Sequence, residues 1–123
     1  MVDDFEPWRR LVCSMLAGNA EWKVVAEAAD GLEAIQKAQT LKPDLILLDL
    51  GLPNLNGIVA AKQIRQVLPD TKILFLTAIN DRDVVREALD TGAQGYVLKI
   101  DARTQLLPAV VGLLGGGDFS VAE

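Results

Sequence analysis

Residues 44–49 read Asp-Leu-Ile-Leu-Leu-Asp, four apolar side chains held between two carboxylates. A strand with one wet face alternates apolar and polar residues. A short unbroken apolar run belongs instead to a strand covered on both faces, as in a parallel sheet. Two similar runs follow, Lys72-Ile-Leu-Phe-Leu-Thr77 and Gly95-Tyr-Val-Leu-Lys99. Residues 22–28 also read as a strand. Helical patterns lie between. Residues 5–17 put Trp8, Leu11, Val12, Met15 and Leu16 on one face. Residues 32–41 form a helix after a turn or cap at Asp30-Gly31, stopped by Lys42-Pro43. Residues 51–57 are a loop, 58–68 a helix, Pro69-Asp70 a turn, and 81–91 a helix ended by Gly92. Asp101 caps a final helix that runs to Leu114, is bent by Pro108 and ends in Gly115-Gly-Gly117. This alternation predicts an α/β chain with a doubly wound parallel sheet, helices on both faces and right-handed crossovers. In such a sheet the functional site lies beyond the carboxyl ends of the strands.

Composition narrows the chemistry. The length of 123 residues suits one domain. A net charge of −5 disfavours nucleic-acid binding by this segment, which would need clustered Lys and Arg. The chain has no His, which removes imidazole acid–base catalysis, Ser–His pairs and typical zinc sites. Chemistry is left to carboxylates, hydroxyls, lysines and a hard cation held by oxygen. Cys13 is the single cysteine and reads as a small core residue in a reducing compartment. No apolar run reaches the roughly 18 residues of a membrane span, and no secretory leader is visible, so a cytoplasmic location is expected. Trp8 and Trp22 read as packing residues, and Asp81-Arg82-Asp83 as a solvated helix start.

The polar residues that close the apolar runs are the informative ones. Asp3-Asp4 follows Met1-Val2, Asp49 ends one run, Thr77 the next and Lys99 the last. All should converge on one sheet edge. Crowded carboxylates raise one another's pKa, and Mg²⁺, which takes oxygen ligands, relieves that repulsion. A carboxylate is also a workable nucleophile toward phosphorus, with metal, ammonium and hydroxyl sharing the charge of the transferring group.

Val2-Asp3-Asp4, Asp44-Leu-Ile-Leu-Leu-Asp49-Leu-Gly-Leu-Pro53-Asn-Leu-Asn-Gly57, Leu76-Thr77-Ala78 and Gly95-Tyr96-Val-Leu-Lys99 together resemble the response-regulator receiver domains of bacterial two-component systems. The resemblance covers essentially the whole chain, residues 1–123, with 115–123 as the start of a linker. The ending, Leu106-Leu-Pro-Ala-Val110 through Gly115-Gly-Gly-Asp-Phe-Ser120, resembles the subgroup carrying a C-terminal helix-turn-helix output domain, which this chain lacks. The resemblance implies a flavodoxin-like strand order 2-1-3-4-5. It implies that Asp49 accepts a phosphoryl group from a sensor histidine kinase. Asp4 would bind Mg²⁺ directly, Asp3 largely through water, and Gly51 through its backbone carbonyl. Lys99 would pair with the phosphoryl group, Thr77 would turn toward it, and Tyr96 would change rotamer on the output face. No turnover of an outside substrate is expected. DNA would be reached only through the absent output domain, with transcription as the output.

Two departures stand out. Many receivers have proline after the lysine, joined by a cis bond; here Ile100 follows Lys99. Either this bond is trans and the turn relaxes, or the loop carries the cost of a cis bond, about 2.5–4 kcal/mol. Second, only Met1 and Val2 precede the acidic pair, where the family's first strand supplies about four or five apolar residues. A late start site or a shortened chain is the expected cause. The expected consequences are a sheet rearranged near residues 1–4, a homo-oligomer filled by strand exchange, and weakened Mg²⁺ binding. The alternative function is a receiver-like interaction module that takes no phosphate. A phosphatase acting on outside substrates fits poorly, since Asp49-Leu-Gly-Leu-Pro53 has no second acid and the chain has no cap domain.

Overall fold

The computed structural model describes residues 1–18 and 22–114. In chain order these form α1 (Glu6–Ala17), α2 (Gly31–Leu41), β1 (Leu45–Leu48), α3 (Gly57–Val67), β2 (Lys72–Thr77), α4 (Arg82–Leu89), β3 (Gly95–Leu98), a 3₁₀ turn (Lys99–Asp101) and α5 (Ala102–Leu114). The strands form a parallel sheet in the order β1-β2-β3. Successive strand residues point to opposite faces. Ile46–Leu48, Ile73–Thr77 and Gly95–Leu98 are nevertheless buried without interruption, so both faces are covered. This is the α/β, flavodoxin-like architecture that the apolar runs imply.

Three of the helices, α2, α3 and α4, start where the sequence supplies a side-chain cap. Asp30 accepts from Glu33 N, Asn56 from Val59 N, and Asp81 from Asp83 N and Val84 N. Asp81 is therefore a cap rather than simply a solvated charge. α4 is shorter than expected and closes at Leu89, before Gly92, whose φ of 94° completes the turn into β3. Asp101 closes the 3₁₀ turn directly before α5. Pro108 does lie within α5, where it returns no N–H to the preceding turn. The Lys99–Ile100 bond is trans, and Ile100 points into solvent at 87% exposure. The triple-glycine helix end and the linker at 115–123 lie outside the described residues.

The first strand survives as a stub. Val2 bridges Leu48 on one side and Ala28 on the other, both in parallel. Four backbone hydrogen bonds hold it: Val2 N to Leu47 O at 2.8 Å, Asp49 N to Val2 O at 3.0 Å, Asp3 N to Ala28 O at 3.0 Å, and Ala28 N to Met1 O at 3.0 Å. The bridges trace the order 2-1-3-4-5, so a single chain keeps the sheet in register near residues 1–4 without rearrangement. The strand expected at residues 22–28 does not form; Ala28 alone is paired there. A strand needs a neighbour to bond, and the stub bonds residues 22–28 only at Ala26 and Ala28. Beyond the stub lies an apolar groove of about 300 Å³, lined by Met1, Leu16, Val24, Ala26, Leu45 and Leu47 among others. The Met1 ammonium sits at its end, donating to Ala26 O at 3.3 Å, and burial pushes its pKa below the ordinary 8.0. A chain carrying a few apolar β-branched residues ahead of Met1 should fill this groove and replace the buried ammonium with a peptide. Each side chain buried adds about 1.5–3 kcal/mol, which urea denaturation will read as a higher midpoint. An unchanged midpoint would show that the groove cannot take a strand.

Candidate functional site

The stub and β1 end side by side, which places Asp3 and Asp49 at the same level of neighbouring strands. Asp3 is fully buried and Asp49 is 7% exposed, while Asp4 faces solvent. One carboxylate oxygen from each lies within 4.8 Å of the others. β3 delivers the counter-charge: Lys99 Nζ lies 2.6 Å from Asp3 Oδ2 and 3.6 Å from Asp49 Oδ2. Of the residues singled out in the sequence, Asp3, Asp4, Asp49 and Lys99 are thus brought together. Thr77 closes β2, buried at 1% exposure, with its hydroxyl bonded to Asp49.

Asp3 also builds the turn that follows it. Its Oδ1 accepts from Phe5 N at 2.9 Å and its carbonyl accepts from Arg9 Nη1 at 2.7 Å. Asp49 Oδ1 accepts from Leu50 N at 2.8 Å. Asp3 Oδ2, by contrast, is buried and accepts no hydrogen bond of good geometry; its contact with Lys99 is one of charge and proximity. An orphaned buried carboxylate oxygen beside two further carboxylates fits a divalent cation that takes oxygen ligands.

Burial pushes the Asp49 carboxyl above its ordinary pKa near 3.8; Asp3 adds to the rise, while Thr77, Lys99 and the Leu50 amide oppose it. A charged carboxylate is therefore held where water cannot reach it well.

Tyr96 is fully buried, its ring 6.1 Å from that of Phe75, and its hydroxyl donates to Ile79 O at 2.6 Å. Ile79 N donates in turn to Thr77 Oγ1 at 3.4 Å, so one residue touches both Thr77 and Tyr96. Gly51 is exposed and a Cβ there would meet nothing within 4 Å, so a role for Gly51 rests on its carbonyl, not on the absent side chain.

Two supports escaped the sequence reading. Gly57, taken only as a loop end, packs on Asp49 itself: a Cβ there would lie 2.1 Å from the Asp49 carbonyl oxygen. Asp30 caps α2, as a turn or cap there implied, but its second bond was not foreseen: it also accepts from Asn54 Nδ2 at 2.8 Å, clasping the 51–56 loop. A glycine opening a helix just after a site loop was the available signal for the first. Asn54 at a positive φ of 65° has no equally clear signal.

Residues 1–111 match the family described as "Response regulator receiver domain". This chain belongs to that family. The response regulator protein VraR of Staphylococcus aureus is 44% identical over 110 residues, which cover 89% of this chain and 52% of VraR. The chain thus spans about half the length of the curated relatives it matches. A LuxR-family two-component response regulator from Aurantimonas sp. SI85-9A1 superposes with a TM-score of 0.91 at 32% identity, covering 98% of this chain and 85% of that one. The isolated receiver domain of RcsB from Salmonella enterica serovar Typhimurium, solved with phosphomimetic BeF₃⁻, gives 0.91 at 28% identity, covering 98% and 89%. The chain is a two-component receiver domain akin to those of LuxR-family regulators.

Two outcomes are expected from the site's packing. Gly57→Ala forces Asp49 or α3 to shift and should cost about 1–3 kcal/mol, measured by chemical denaturation. Because folding raises the Asp49 pKa, the folded state holds that proton more tightly than the unfolded chain does. Its contribution to stability is complete below the ordinary pKa and is lost as pH rises through the folded value. Asp49→Asn should therefore melt higher than the parent at neutral pH, in chelator, and the advantage should shrink as pH falls toward 4. A melting difference independent of pH would remove Asp49 as its source.

Proposed function

We propose that Asp49 is the phosphoacceptor of this receiver and that a sensor histidine kinase is the donor. The observation that carries the reading is a buried, desolvated Asp49 with an ammonium and two further carboxylates within a few ångströms. An Asp49 oxygen forms the bond to phosphorus while the donor's bond to phosphorus breaks and the donor leaves with that electron pair. Lys99 moves its 3.6 Å contact onto the phosphoryl oxygens, and the Thr77 hydroxyl turns to donate to one of them. Asp3, Asp4, Asp49 and the Gly51 carbonyl would hold Mg²⁺, which supplies positive charge against the equatorial oxygens. The domain modifies itself and turns over no outside substrate.

The shared residue Ile79 supports a switch. Rotation of Thr77 withdraws the acceptor of Ile79 N, and the loop that carries Ile79 O also tethers Tyr96. Tyr96 would change rotamer as that loop moves, a two-state element biased by the phosphoryl group. We take residues 1–123 as one receiver domain, with 115–123 as the start of a linker to a DNA-binding output domain that regulates transcription. The longer LuxR-family relatives support that arrangement. A cytoplasmic setting agrees with the unpaired Cys13 and with the lack of a membrane-spanning helix among the described residues. Self-association belongs to the same reading: the groove beside the stub is lined mainly by apolar side chains next to an unpaired strand edge, and a strand exchanged from a second copy is its proposed occupant.

Acetyl phosphate with Mg²⁺, followed by intact mass, tests the central claim. One base-labile adduct is expected on the parent and none on Asp49→Asn; full labelling of the variant would refute it, and no label on the parent would favour the interaction module. Beryllofluoride with Mg²⁺ should shift backbone resonances across residues 79–89 and 95–107. Shifts confined to residues touching the phosphate would count against the switch. Sedimentation equilibrium at micromolar concentration should find a dimer or larger species, and a monomer would remove the strand exchange.

A further inference from the structure

Lys99 has a third neighbour that the proposed chemistry does not use. Its Nζ lies 5.3 Å from the centroid of the Trp8 ring, within the range of cation–π attraction. Trp8 is half-buried against the core, and its Nε1 is buried without a hydrogen-bond partner. The ring therefore meets the ammonium, itself 23% exposed, at a half-buried place where the attraction is partly shielded from water. The turn that supplies Asp3 also fixes the ring. Asp3 Oδ1 caps Phe5 N, the Asp3 carbonyl takes Arg9 Nη1, and Pro7 sets the start of α1. Asp3 and Trp8 reach Lys99 on one braced piece of backbone.

We propose that Trp8 is a positioning residue, whose indole face keeps the Lys99 ammonium aimed at Asp49. In this structure Asp3 holds Lys99 more closely than Asp49 does, at 2.6 Å against 3.6 Å. A cation bound by Asp3 and Asp4 competes with Lys99 for the Asp3 oxygen, because two positive charges crowd one another there. A lysine released from its closest partner has a long flexible stem and many places to go. The ring face is the contact that stays when Asp3 is taken. It holds the ammonium at the site at the moment the phosphoryl oxygens need it. The inference rests on the reading of Asp49 and Lys99 given above.

The experiment uses the full chain carrying Trp22→Phe, which leaves Trp8 as its single tryptophan. Labelling by acetyl phosphate at saturating Mg²⁺ is followed by intact mass for this parent, Trp8→Phe and Trp8→Leu. Loss of a partly desolvated cation–π contact should slow Trp8→Leu about fivefold, and Trp8→Phe, which keeps an aromatic face, should recover roughly half of the rate. Tryptophan emission is the second readout. Beryllofluoride with Mg²⁺ should change Trp8 emission as the ammonium shifts, and Lys99→Met should alter the resting emission and abolish that response. Equal rates for Trp8→Leu and the parent would overturn the proposal, as would equal slowing of Trp8→Leu and Trp8→Phe, which marks mere packing. If the parent takes no label, the phosphoacceptor reading fails, and emission of Lys99→Met still decides whether ring and ammonium are coupled: an emission indifferent to Lys99 overturns it.

Discussion

Two carboxylates, Asp3 and Asp49, are buried side by side against one ammonium, Lys99. That imbalance of charge in a dry place organises the surrounding structure. Burying a charge costs several kcal/mol unless it is paired and hydrogen-bonded, roughly the scale on which a whole domain is stable. The chain meets the cost with the ends of three strands, two backbone amides, a hydroxyl and a lysine. It leaves one oxygen, Asp3 Oδ2, without a hydrogen bond. The pocket is thereby set to gain from an added positive charge and from any event that spreads the negative charge over more donors.

The rest of the fold serves to keep these groups from relaxing apart. Gly57 lets α3 close directly on the Asp49 carbonyl, so the strand end cannot retreat. Asp30 and Asn54 clasp the loop beyond it to the start of α2. Gly31 lies equally close to that loop, where a Cβ would sit 2.1 Å from the Leu55 carbonyl oxygen. Close approach gathers around the site, while the apolar strands beneath it are packed without interruption.

How much of this could be read in the sequence depended on whether the determinant was local. The runs at 45–48, 72–77 and 95–98 announced buried parallel strands, and the polar residue after each run marked its carboxyl end. Asp3, Asp4, Asp49, Thr77 and Lys99 could be gathered on paper for that reason. Residues 22–28 had the right pattern for a strand and failed to become one, because strand pairing is decided by the neighbour and not by the segment. The Trp8–Lys99 contact was hidden behind an amphipathic helix pattern that explains Trp8 adequately as packing. The tether from Tyr96 to the Ile79 carbonyl was equally invisible, since it joins a side chain to a distant backbone atom that carries no residue-specific signal.

The stub at Val2 has an effect that reaches beyond the sheet. Asp3 enters the pocket only while residues 1–3 stay docked through four backbone hydrogen bonds. So short a pairing is a place where local opening is easy. Occupancy of the pocket and docking of residues 1–3 are then a linked equilibrium: apparent affinity equals intrinsic affinity scaled by the docked fraction. By the reciprocity of linkage, a cation held there would pin residues 1–3 as firmly as their docking retains the cation. What lies against the groove beside Val2 therefore bears on the acidic pocket one residue away.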